Sequence, residues 1–236
     1  MKRRGGRLSN GMKVAILPRK TAGGNVSALI EIHFGDETTL SGKGAVSQMT
    51  SALLMGGTKT KSRQQIQDAM DKLNARITVG GGGGGGGGGF GGGRGGGGGV
   101  VSVAGVGASI DVKAANFVPA LRLAVEMLRE PAFPEKDFEQ VQKQRVAALE
   151  NVRTDPAQLA AQFLSRRLSP YPQGHPLYAG TQDEQADAWK KATLDDVKSF
   201  YAQFYGASHG ELAILGEGEE HLRILLLLAN VRYPGL

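Results

Sequence analysis

Gly44-Ala45-Val46-Ser47-Gln48-Met49-Thr50-Ser51-Ala52-Leu53-Leu54-Met55-Gly56-Gly57-Thr58 is the stretch on which the fold of this 236-residue chain turns. Its apolar residues Ala45, Met49, Ala52 and Leu53 recur at helical spacing, which predicts a core-facing helix over Ala45–Met55. Gly56-Gly57 stops it, because glycine has the most backbone freedom to lose in a helix.

On either side the period changes. Upstream, Asn10-Gly11 marks a turn before Lys13-Val14-Ala15-Ile16-Leu17, and Asn25 to Phe34 places Val26, Ala28, Ile30 and Ile32 on one face. Both segments predict strands of one sheet. Downstream, Ser62 and Gln65 form a capping box ahead of Ile66, Ala69, Met70 and Leu73, predicting a helix over Arg63–Asn74. Arg76–Val79 and Val100–Val112 predict further strands. Lys113–Arg129 predicts a helix with Phe117, Leu121, Val125 and Leu128 on its face and Pro119 in its first turn. Helices follow at Pro134–Arg153, Pro156–Leu168 and Leu194–Tyr205, then a strand at Leu212–Leu215. This order predicts an α+β fold, a mostly antiparallel sheet with helices on one face.

Between two of these strands, Gly80 to Gly99 is glycine throughout except Phe90 and Arg94. The tract has no side chains to bury, and two readings stand: a flexible linker, or glycine written in place of other residues.

Composition excludes several functions. The chain has no cysteine, hence no disulfide, thiolate nucleophile or cysteine-held zinc or iron–sulfur centre. The longest strongly apolar run, Ile224–Ala229, is far shorter than a membrane span, and no apolar segment follows the basic first seven residues as a signal peptide requires. That leaves the compartment open. The net charge of +6 is spread along the chain and aromatics are 6%, which argues against a nucleic-acid interface.

The four histidines, His33, His175, His209 and His221, show no helical metal spacing. No Gly-x-Ser-x-Gly elbow or Gly-x-x-x-x-Gly-Lys-Ser/Thr loop occurs, and a strand follows the glycine tract where a phosphate cradle needs a helix.

Taken together, Leu8-Ser9-Asn10-Gly11-Met12-Lys13-Val14, Phe34-Gly35-Asp36-Glu37 and the segment closing on Gly56-Gly57-Thr58 resemble the opening of a pitrilysin or insulinase-type (inverzincin) zinc metallopeptidase domain. Glu130-Pro131-Ala132-Phe133-Pro134, Tyr171 to Tyr178 and Thr193 to Tyr201 are similar to later landmarks of that family. The resemblance covers about Leu8 to Gly216. It implies a basic extension over 1–7, a pitrilysin-like domain over 8–216 interrupted at 80–99, and a C-terminal segment over 217–236.

Catalytic members carry His-x-x-Glu-His on the first helix, two zinc ligands and a base one turn apart. Counted back from Gly57-Thr58, those positions hold Gln48, Ser51 and Ala52, and the third-ligand position falls at Asn151 or its neighbour Glu150. None of the first three side chains can replace an imidazole or a carboxylate. The resemblance therefore implies a non-catalytic half with no catalytic or metal residues of its own. Its partner would be a homologous catalytic half that holds the zinc, in the same polypeptide or as a separate subunit. Together they would close a chamber around an unstructured peptide. A structural scaffold without a role in proteolysis is the alternative that the same losses allow.

Overall fold

The computed structural model describes residues 4–8, 10–21, 23–33, 35–80, 105–152, 155–168 and 171–216. In chain order the elements are β1 (Arg4–Arg7), β2 (Lys13–Pro18), β3 (Asn25–His33), α1 (Gly44–Leu53), α2 (Arg63–Leu73), β4 (Arg76–Val79), β5 (Gly105–Lys113), α3 (Phe117–Arg129), α4 (Glu135–Val152), α5 (Pro156–Leu168), α6 (Gln182–Lys191), α7 (Leu194–Phe204) and β6 (Gly210–Gly216). The glycine tract beyond Gly80, Phe34, Val101, Val103, His221 and 217–236 lie outside the described residues.

The strands form one sheet in the order β1-β2-β6-β3-β5-β4. Pairing is antiparallel except between β2 and β6, which run parallel with Val14 opposite Leu212 and Ile16 opposite Ile214. Alternation decides which side chains enter the core, since successive residues point to opposite faces. Val14, Ile16, Val26, Ala28, Ile30, Ile32, Ile77, Ala108, Ile110, Val112, Leu212 and Ile214 are all buried, and they pack with the apolar stripes of α1, α2, α3 and α7 in one core. The helices therefore cover a single face of a mostly antiparallel sheet. On the other face Leu17 and Leu29 stay exposed beside Ala15, Ala213 and Leu215 along a shallow groove of about 560 Å³.

Local sequence explains the boundaries. The β1–β2 hairpin turns at Gly11, whose amide donates to the Leu8 carbonyl at 2.9 Å. At Gly57 φ is 139°, a conformation that side chains rarely adopt, and a Cβ on Gly56 would lie 2.7 Å from Asp137 Oδ2. Glycine is thus required at Gly57 by its backbone, whereas a side chain at Gly56 would need only the Asp137 carboxylate of α4 to swing aside. Ser62 and Gln65 make the anticipated capping box on α2. The helix α6 was not foreseen, although Thr181 and Glu184 cap it in the same way. Three of its ten residues are acidic and two are lysines, so its apolar signal rests on Ala186 and Trp189. Among the described residues, no helix is long and apolar enough to cross a membrane.

Candidate functional site

The helix α1 lies in the middle of the helical layer, packed against α4, α6 and α7. Met49 and Leu53 point into the core with 0% and 1% exposure. One stripe further round sit Gln48 and Ala52, one turn apart and half-buried, with Ser51 between them at 7% exposure. Thr50, fully buried, returns its hydroxyl to the Val46 carbonyl at 2.7 Å and so needs no outside partner.

Ser51 is turned inward. Its Oγ lies 3.3 Å from the Tyr205 hydroxyl at the end of α7. Burial pushes the Tyr205 phenol well above its ordinary range, with the Ser51 hydrogen bond acting weakly the other way, so this hydroxyl stays neutral across physiological pH. The sheet closes the same side of α1: at Gly80, φ is 112° and a Cβ would stand 2.4 Å from the Ser51 carbonyl oxygen. The Gly80 amide donates to Gly107 at 2.9 Å. The end of edge strand β4 is thereby pressed onto α1 at Ser51, and only a residue without a side chain fits there.

The remaining sequence-derived position, Asn151, is exposed near the C-terminal end of α4, beside the exposed Glu150, which faces Lys190 at 3.6 Å. A zinc ion needs three or four imidazole, thiolate or carboxylate donors converging on it. The methyl of Ala52, the hydroxyl of Ser51 and the amides of Gln48 and Asn151 do not fit that requirement. Among the described residues no group of three or more His, Asp or Glu side chains is placed to hold a metal. His33 and His209 are exposed, on β3 and just before β6.

Around this helix, segments distant in sequence are tied together. Glu126 of α3 accepts from Thr58 (2.8 Å), Thr60 (2.6 Å) and Lys61 Nζ (2.6 and 2.8 Å), locking the turn that follows Gly56-Gly57. Burial alone would raise its pKa, but the Lys61, Thr60 and Thr58 hydrogen bonds outweigh it and hold the carboxyl below its ordinary 4.5. The Asp36–Ser41 turn and the Pro172–Tyr178 loop also meet. Gly42 N and Ser41 Oγ both donate to the Gly174 carbonyl at 2.9 Å. His175 stacks on Tyr171 at 4.2 Å and accepts at Nδ1 from the Leu177 amide, leaving Nε2 facing Glu37 at 3.5 Å. His175 is a loop brace, consistent with its prolines.

Sequence reading did not find Tyr205, Gly80 or Glu126. Tyr205 stands 154 positions from Ser51 and Glu126 stands 68 from Thr58, so no local pattern could have linked them.

No protein-family model matches the chain, and no curated protein matches it. Solved structures do. The chain is similar over 100% of its length to the inactive domain of an M16 peptidase from Pseudomonas fluorescens, at 20% identity and a TM-score of 0.77. It is similar over 100% to a protease from Helicobacter pylori, at 18% identity and a TM-score of 0.73. Over 99% it is similar to an M16-like peptidase described from Alicyclobacillus acidocaldarius, at 12% identity and a TM-score of 0.68. The match covers 52%, 51% and 51% of those chains, so this chain spans about half their length. At these identities the likeness establishes the fold: it is that of one half of an M16 peptidase chain.

Proposed function

We propose that this chain is the non-catalytic half of a zinc metallopeptidase and forms a peptide-binding chamber with a homologous catalytic half. One observation carries the reading. In a fold matched end to end by an M16 inactive domain, the helix at the position of the family's metal motif bears Gln48, Ser51 and Ala52, with Ser51 closed off by Tyr205 and Gly80. On this reading Gln48, Ser51, Ala52 and Asn151 are the motif positions, each without its metal chemistry. A helix with no base to activate water and no imidazole to hold zinc cannot hydrolyse a peptide by the family's route.

What the chain retains is architecture. Among the described residues β4 pairs with β5 alone, and its end abuts α1 at Ser51. A sheet edge beside that helix suits capture of an extended peptide by strand addition, with backbone hydrogen bonds supplying affinity. The homologous half, in the same polypeptide or as a subunit, would supply zinc, base and third ligand. Unstructured peptide is the substrate class this implies.

The test mixes the chain with a homologous half that carries His-x-x-Glu-His and follows hydrolysis of an unstructured peptide. Each alone is expected to be weak and the mixture faster, with the gain abolished by a chelator. Chelator-sensitive cleavage by the purified chain alone would refute the assignment of Gln48, Ser51 and Ala52.

A further inference from the structure

Between the last turns of α5 and the loop over 171–179 lies an open recess of about 310 Å³, walled by Phe163, Arg166, Arg167, Tyr171, Tyr178 and Ala179. On the helix, Phe163, Arg166 and Arg167 are spaced i, i+3 and i+4, so they share one face within an arc of about 100°. Gln162 lies beside Arg166 on the helical wheel, and its Nε2 donates to the Gly180 carbonyl at 3.0 Å. That bond pins α5 to the chain leaving the loop. The recess is therefore made by the helix and the loop together.

The loop wall is set before any ligand arrives. Tyr171 is stacked on His175, with ring centroids 4.2 Å apart and planes 10° from parallel. His175 is held by the Leu177 amide donating to its Nδ1 at 3.0 Å, and its carbonyl accepts from the Tyr178 amide at 2.9 Å. The Tyr178 hydroxyl donates to Glu184 Oε2 at 3.1 Å. A wall fixed in this way loses little conformational freedom when something binds to it.

The charges are arranged differently from the rings. Among the described residues neither Arg166 nor Arg167 is in an ion pair. Glu184 is already committed: its carboxylate accepts from the Thr181 amide at 2.7 Å as the cap of α6 and from Tyr178, and it feels Arg166 only through space. Each guanidinium presents a planar fork of donors that matches a carboxylate, and it also stacks on aromatic faces. Two such groups beside three aromatic rings, with no acid supplied by the fold, complement an anionic ligand that carries an apolar neighbour. The volume is at the small end of ligand sites and admits one or two side chains.

We propose that this recess binds an acidic side chain of an unstructured peptide together with an adjacent aromatic residue, Arg166 and Arg167 taking the carboxylate and Phe163 and Tyr171 the ring. The inference rests on the chamber reading for its ligand being a peptide, and it adds a preference for acidic-aromatic sequence.

Calorimetric titration of the whole chain, without a catalytic half, tests it. The probe is a short, end-blocked Gly/Ser peptide with Phe-Glu at its centre, and its partner carries Phe-Gln instead. The Phe-Glu peptide is expected to bind with a dissociation constant on the order of 100 µM at low salt, as suits a small open site, and the Phe-Gln peptide at least fivefold more weakly. Arg167→Gln and Phe163→Ala, both at exposed positions, should each weaken the Phe-Glu peptide at least threefold with unchanged circular dichroism. Lys72→Gln, an equal loss of charge in the last turn of α2, should leave it unchanged. No measurable binding, equal affinity for both peptides, or equal effects of Arg167→Gln and Lys72→Gln overturns the proposal. Inorganic phosphate binding as tightly as the Phe-Glu peptide also overturns it, by marking an unselective anion patch. Because no catalytic half is present, failure here removes the acidic-aromatic preference and leaves the chamber reading to be decided by the mixing experiment.

Discussion

Replacing Ser51 with glutamate puts a carboxylate into the closed site on α1, and the structure predicts that it destabilises the fold. Ser51 is 7% exposed, its Oγ is 3.3 Å from the Tyr205 hydroxyl, and Gly80 is packed against its carbonyl. A carboxylate placed there leaves water without a cation to receive it. An uncompensated buried charge costs roughly 3–5 kcal/mol. The Tyr205 hydroxyl can donate one charge-assisted bond, worth about 1.5–3 kcal/mol, so the expected net loss at neutral pH is about 2 kcal/mol. The cost belongs to the ionised form, so the folded-state pKa of the new carboxyl must rise above its unfolded value of about 4.3. The deficit relative to wild type is then absent below about pH 4.3, grows as pH rises above it, and levels off once the folded-state pKa is passed. Urea denaturation of wild type, Ser51→Glu and Ser51→Ala at pH 4 and pH 7.5 measures this. A Ser51→Glu chain as stable as wild type at pH 7.5, or a deficit equal at both values, would refute the closed environment deduced for Ser51.

The purified chain, dialysed against metal-free buffer, should hold well under one zinc per molecule by elemental analysis. On the proposed assignment of the motif positions, the combined change Gln48→His, Ser51→Glu and Ala52→His should still leave peptide uncut, since Asn151 would supply no third ligand. Glu126→Gln should cost about 1–2 kcal/mol at pH 7 after allowing for solvent screening of the Lys61 pair. Because the Glu126 carboxyl is held below 4.5, that difference should vanish as pH falls through and below this value, which a pH series of thermal melts would show. Gly80→Ala, with φ at 112° and 2.4 Å from the Ser51 carbonyl, should lower stability by at least about 2 kcal/mol in the same assay.

The sequence by itself determined the elements whose physics is local. Ser62 with Gln65 starts α2 because a side-chain oxygen and a glutamine three residues on satisfy the free amides of a first turn. Gly56-Gly57 ends the α1 segment, and alternation through Val26, Ala28, Ile30 and Ile32 named the buried face of β3. That Gln48, Ser51 and Ala52 offer neither imidazole nor carboxylate was equally legible, since donor chemistry belongs to residue type. Other features depended on long-range packing. The parallel pairing of β2 with β6 joins Lys13 to Glu211 at 3.0 Å across 198 positions. Tyr205 closing over Ser51, Glu126 gathering Thr58, Thr60 and Lys61, and Gly80 pressed on α1 each join segments with no shared local pattern. The helix α5 shows the division best. The sequence reading placed a helix over Pro156–Leu168, as observed, but only the packed structure shows which side faces the body: Gln162 meets the Gly180 carbonyl, and Leu159, Phe163, Leu164 and Leu168 are left in solvent. Periodicity fixes the angle between side chains; only the packed tertiary structure fixes which of those angles points inward.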